Sequence, residues 1–245
     1  MARGNPSPLY DMKRFELYPN MKLSLHRKDD ADIDFHQARY LEQREKALQK
    51  AGYKCCYCGL EVRPDKTAEA GTLLSSGYLE VHHVDNKHQN NDISNLAAIC
   101  PFCHAVIHLG FSCMNGRVFF AYIPELTQIE INLISTLCGV GLVAANNKSK
   151  VILEISHTMR EAFIGAGHVF AEKYKFTGSE FVSVLLAKQK ENPNTVKDIF
   201  KQIKIVPMLN NYPPAMFTYW ADHMITEIGI WEKLYAEFHE KFGDK

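Results

Sequence analysis

The stretch Leu79-Glu-Val-His-His-Val-Asp-Asn86, resumed at Asp92-Ile-Ser-Asn-Leu-Ala-Ala-Ile-Cys-Pro-Phe-Cys-His-Ala-Val-Ile-His108, decides the fold class. Tyr78–Val84 alternates as a strand does and ends on a histidine pair. Asn95 precedes a second short apolar run, Leu96–Ile99, and a helix is expected from Pro101, because proline suits a first helical turn. On that helix His104 and His108 are four apart and share one face. Cys103, one residue before His104, is rotated from it by about 100° and is directed elsewhere. Two imidazoles at this spacing plus one from the strand form a tripod for a divalent metal with open positions. Adjacent strand residues point to opposite sides, so His82 and His83 play different parts: one suited to ligate, the other free to act as a base.

Working outward, two C-x2-C pairs frame this stretch: Cys55/Cys58 in Lys-Cys-Cys-Tyr-Cys-Gly and Cys100/Cys103 in Ile-Cys-Pro-Phe-Cys-His. A two-residue gap lets a tight turn aim both sulfurs at one point, and two such knuckles complete a tetrahedral thiolate shell around zinc. Seven cysteines, with only Ala-Arg-Gly-Asn-Pro-Ser-Pro after Met1 and no apolar leader, predict a reducing, cytoplasmic setting and metal ligation rather than disulfides. Cys56, Cys113 and Cys138 are left as small core or surface residues.

Taken together, the His-His pair, Asn95, the terminal histidines and the framing knuckles resemble the HNH (ββα-metal) nuclease motif, and His104-x3-His108 is similar to the metal-binding helix of its colicin-type members. The resemblance implies that His82, His104 and His108 hold a catalytic metal (Zn, Ni, Mn or Mg), that His83 is the general base, and that Asn95 pins the loop orienting it. It also implies that Cys55, Cys58, Cys100 and Cys103 bind structural zinc. Three stretches also resemble the DotN (IcmJ) family: Leu23-Ser-Leu…Asp32-Ile-Asp-Phe35-His-Gln-Ala, Cys55-Cys-Tyr-Cys-Gly59, and Phe120-Ala-Tyr-Ile-Pro-Glu-Leu-Thr-Gln-Ile-Glu130. Members of that family are HNH-fold zinc proteins of the type IVB (Dot/Icm) secretion coupling complex. The implied role is a subunit that docks on a segment of the coupling ATPase, at the cytoplasmic face of the inner membrane. The alternative reading is an active metal-dependent endonuclease that hydrolyses DNA.

Composition bears on that choice. The 245 residues carry 28 Lys+Arg against 28 Asp+Glu, with 46% hydrophobic and 23% charged residues, so the chain is an ordinary globular one without the basic excess of a dedicated nucleic-acid binder. Within residues 51–109 Lys54, Arg63, Lys66 and Lys87 face Glu61, Asp65, Glu69, Glu80, Asp85 and Asp92, a net acidic module where phosphate would sit. Protein partners are therefore expected ahead of DNA, with no membrane insertion, because Ile131–Ala145 is too short to span a bilayer.

The expected fold class is α+β: a small ββα-metal HNH module with four-cysteine zinc knuckles, a β-hairpin at Met114-Asn115-Gly116 between Phe111-Ser-Cys and Arg117–Tyr122, and a mostly helical C-terminal part. The organisation expected is an irregular arm over 1–20, an HNH-like zinc-binding domain over 21–123 and a helical domain over 124–245. Helices are expected at Phe35–Ala51 (capped by Asp34), Pro124–Ala145, Lys150–Phe176, Ser179–Lys190, Thr195–Ile203 and Ala215–Phe242, and a strand at Met21–Leu25. The last helix carries large aromatic anchors, including Trp220, Trp231 and Tyr235, and Gly165-Ala-Gly167 lacks the context of a dinucleotide motif.

Overall fold

A computed structural model describes Pro19, Met21, residues 33–144 and 150–224, Ala236 and Glu240. The arm apart from Pro19, most of the expected Met21–Leu25 strand, and residues 225–245 apart from Ala236 and Glu240, with Trp231 and Tyr235 among them, lie outside the described residues. The architecture is α+β, with helices and two small sheets. Contacts divide it into two compact units, one holding residues 33–104 with 223 and 224, the other 105–144 and 150–222.

The first unit begins with α1 (Ile33–Lys50), rich in good helix formers. It starts ahead of Asp34, which therefore lies in the first turn and not at the cap. Gly52, at φ 63°, ends it: its N–H donates to the Gln49 carbonyl and the Tyr53 N–H to that of Leu48. Ala47 and Leu48 are fully buried, and Arg44 Nη2 donates to the Leu79 carbonyl at 3.1 Å, fixing the approach to the first strand. That strand, β1 (Glu80–His83), pairs antiparallel with β2 (Leu96–Ile99) in the register Glu80↔Ile99, Val81↔Ala98, His82↔Ala97, His83↔Leu96. The strand expected from Tyr78 starts later because Gly77 and Tyr78 both have positive φ, 61° each, which no strand accommodates. At Gly77 an added Cβ would meet Val62 Cγ1 at 3.0 Å, so the turn runs directly against that side chain. A 3-10 turn, Ile93–Asn95, leads into β2, and α2 (Pro101–Ile107) follows it with proline at its first position. Strand, strand and helix thus stand in ββα order.

The division between the units falls within α2, after His104. In the second unit α3 (Leu109–Met114) precedes β3 (Val118–Tyr122), which pairs antiparallel with β4 (Ile203–Pro207). This overturns the expected hairpin: Phe111–Cys113 is helical, and the partner of β3 comes from far along the chain. The turn signal itself is sound, since Gly116 takes φ 63°, but it joins a helix to a strand. The helices are α4 (Gln128–Ala144), α5 (Lys150–Tyr174), α6 (Gly178–Glu191), α7 (Pro193–Gln202) and α8 (Pro214–His223). α4 starts later than Pro124 because Thr127 and Glu130 form a reciprocal capping pair, Thr127 N–H to Glu130 Oε2 at 2.7 Å and Glu130 N–H to Thr127 Oγ1 at 3.2 Å. α5 stops at Tyr174 because Lys175 turns left-handed at φ 54°.

Small residues set how closely these elements pack. A Cβ on Gly141 of α4 would lie 1.9 Å from Ser156 Oγ on α5, and one on Gly139 would lie 2.2 Å from Phe217 of α8. A Cβ on Gly167 of α5 would lie 3.0 Å from the Phe119 ring of β3, which gives this glycine of the Gly165-Ala-Gly167 pattern a packing role. The core between α4, α5 and the β3–β4 sheet holds Ile123, Ile131, Ile134, Met159, Phe163 and Val206.

Candidate metal centre

The first knuckle follows from backbone hydrogen bonds. The Cys55 N–H donates to the Leu60 carbonyl at 2.8 Å and the Gly59 N–H to that of Cys55 at 2.9 Å, with Gly59 at φ 76°. The Cys56 N–H reaches the Ala98 carbonyl at 2.9 Å and ties the knuckle to β2. The second knuckle opens α2, where the Cys103 N–H points at Cys100 Sγ. The sulfurs of Cys55, Cys58, Cys100 and Cys103 consequently all lie within 4.8 Å of one another, with Cys58 and Cys100 3.7 Å apart, and all four residues are buried.

The donor chemistry fits a metal ion. Burial pushes the Cys100 and Cys103 thiols well above their ordinary value. Burial opposes ionisation at Cys55 too, but donors on Cys100, Cys103 and Cys58 hold its thiol well below the ordinary value. Four crowded sulfurs can share little negative charge among themselves, and a central cation removes that restriction. Such a set could hold a metal such as zinc. Cys56, Cys113 and Cys138 stand outside the group; burial raises all three thiols, those of Cys113 and Cys138 to about 12.

A second group forms where β1 meets α2. The ligand atoms of His82, His104 and His108 also lie within 4.8 Å of one another. His82 is buried, the other two are half-buried, and the rings of His82 and His104 meet edge to face with centroids 5.5 Å apart. His104 Nδ1 is hydrogen-bonded to Glu80 Oε2. Three imidazoles at a partly open site fit a divalent ion that keeps exchangeable positions.

His83 leaves the opposite side of β1 and has different neighbours. Its Nε2 is 2.9 Å from Asn91 Oδ1, Tyr40 stacks on its ring at 5.5 Å, and His88 lies 4.8 Å away. Asn95 closes the loop between the strands. Its Nδ2 donates to Asp85 Oδ1 at 2.9 Å and to the Asn90 carbonyl at 2.8 Å, while its Oδ1 accepts from the Asp85 N–H at 3.0 Å. Desolvation works against ionisation of Asp85, yet Asn90, the Lys87 N–H, Asn95 and the Lys87 charge bring its carboxyl down to about 2.

The sequence patterns alone do not single out Glu80, Asn91, His88 and Tyr40 as parts of these sites. Glu80 does carry a signal, since it lies two before His82 and shares its strand face. The other three reach His83 only through the loop shape and the docking of α1, which no local pattern encodes.

Residues 55–108 match the family model for HNH endonuclease. The chain is 24% identical over 196 residues to the Type 4 apparatus protein DotN of Legionella pneumophila subsp. pneumophila (strain Philadelphia 1), a match that covers 78% of this chain and 83% of that protein. It is 43% identical over 54 residues to the H-N-H endonuclease F-TflIV of Escherichia phage T5, covering 22% of this chain and only 20% of that enzyme. An HNH-type module, ββα in order and framed by four convergent cysteines, is thus set within a longer chain similar to DotN.

Proposed function

We propose that the chain is a DotN-like subunit of a type IVB (Dot/Icm-like) secretion coupling complex, with an HNH fold stapled by zinc at Cys55, Cys58, Cys100 and Cys103. The observation that carries this reading is coverage: similarity to DotN extends over 78% of the chain, whereas similarity to the phage nuclease ends with its 54 residues. Charge supports it, because between residues 80 and 110 Lys87 is the one lysine or arginine available to grip phosphate. In this role the chain docks on a segment of the coupling ATPase, at the cytoplasmic face of the inner membrane. Among the described residues no helix is long and apolar enough to cross a membrane. A closed thiolate shell supplies rigidity to a small module whose two strands have four residues each.

One specific observation favours a second reading, a metal-dependent endonuclease: the three histidines converge and His83 stands apart from them with its own hydrogen-bond partner. In that reading His82, His104 and His108 hold a divalent ion (Zn, Ni, Mn or Mg) that would stabilise charge developing on a phosphodiester. His83 accepts the proton of the attacking water. Asn95 pins the loop that carries Asn91 and so orients His83.

Incubating the full chain with plasmid DNA and Mg, Mn, Ni or Zn, beside His83→Ala, separates the two. The subunit reading expects no cutting above the variant's background. Metal-dependent cutting that disappears in His83→Ala would overturn it in favour of the nuclease.

A further inference from the structure

Glu80 and His82 stand two apart on β1, so both side chains leave the same face of the strand. That face meets His104 of α2, whose Nδ1 is hydrogen-bonded to Glu80 Oε2 and whose ring lies edge to face against that of His82. A ring held at Nδ1 by a carboxylate ligates through Nε2, the arrangement by which outer carboxylates fix the tautomer and raise the basicity of metal-binding histidines. Glu80 itself is not one of the convergent donors.

We propose that Glu80 is a positioning residue for the histidine site: its carboxylate sets the orientation and tautomer of His104 and thereby the affinity of His82, His104 and His108 for a divalent ion. The inference rests on the histidine site's binding a metal, and it needs no nuclease activity. A purely structural alternative is that the bond only ties β1 to α2. The two differ in outcome. A tie affects stability, whereas a positioning carboxylate affects metal affinity in protein that remains folded.

The test is a Co²⁺ titration of the full chain with its cysteine site already filled with zinc. Wild type, Glu80→Gln and Glu80→Ala are followed by visible absorption and calorimetry, with circular dichroism and zinc content as checks of folding. The amide of Glu80→Gln can still accept the Nδ1–H bond but carries no charge. Affinity is expected to fall roughly 5- to 10-fold in Glu80→Gln and about 10- to 100-fold in Glu80→Ala. If Glu80→Ala does not fold, Glu80→Gln alone decides. Unchanged affinity in a folded variant, with wild type binding Co²⁺, overturns the positioning role and leaves the histidine site standing. Failure of wild type to bind Co²⁺ overturns the histidine site itself, and the inference with it.

Discussion

Replacing Asn95 by alanine removes the clasp of the loop between β1 and β2. Three hydrogen bonds disappear: to Asp85 Oδ1 at 2.9 Å, to the Asn90 carbonyl at 2.8 Å and from the Asp85 N–H at 3.0 Å. Each neutral bond contributes about 1 kcal/mol net, and one to an ionised group about 1.5–3 kcal/mol. Because Asp85 is exposed and can rehydrate, the charged bond belongs at the low end, and the total is about 3 kcal/mol. As a local opening free energy, that is roughly a hundredfold change in the open population. Amide hydrogen exchange reads it directly. In Asn95→Ala the Val84 and Asp85 amides, which donate to the Asn95 backbone carbonyl and to its side chain, should exchange about 100-fold faster. Amides of α4 and α5 should keep their wild-type rates. Unchanged exchange at Val84 and Asp85, or equal acceleration in α4 and α5, would refute the reasoning.

Other expectations follow from the same geometry. Gly141→Ala drives a methyl to within 1.9 Å of Ser156 Oγ and should destabilise by about 1–3 kcal/mol in urea unfolding. Gly165→Ala, with nothing within 4 Å and a helical backbone, should instead stabilise by about 0.5–1 kcal/mol. Burial lowers the Lys204 amine from 10.5 to about 8, against the pull of Glu125 and Glu130. Below pH 8 both folded and unfolded forms are protonated; between pH 8 and 10.5 only the unfolded form binds the proton, so stability rises with pH. Wild type should therefore gain on Lys204→Met by up to about 3 kcal/mol across that window, and a flat difference would contradict the burial of the charge. Stripping metal with a strong chelator, or Cys100→Ser, should release zinc and lose near-ultraviolet circular dichroism from the first unit, while α4–α5 amides stay protected.

How much of this was legible follows from where the information lies. The knuckle spacing, the histidine pair, Pro101 and the i,i+4 histidines are local, and the structure brings those two sets of side chains together. β4 was not legible, because Ile203–Pro207 directly follows α7 and its partner, β3, lies far earlier in the chain. Nothing in a short run with a buried lysine distinguishes it from the end of a helix. The expected hairpin failed for the same reason: Asn115-Gly116 encodes a turn but not the conformation of the residues before it. Helix ends were misplaced where a capping pair, as at Thr127 and Glu130, or a left-handed residue, as at Lys175, overrode the apolar pattern. His83's surroundings required the folded loop and α1 together.

Membership of a secretion coupling complex is most directly tested by native mass spectrometry of the full chain mixed with a purified type IVB coupling ATPase. The predicted result is a complex of the two chains in which this chain retains a tightly bound zinc ion. Free components only, at concentrations where the zinc-loaded chain is folded, would contradict it.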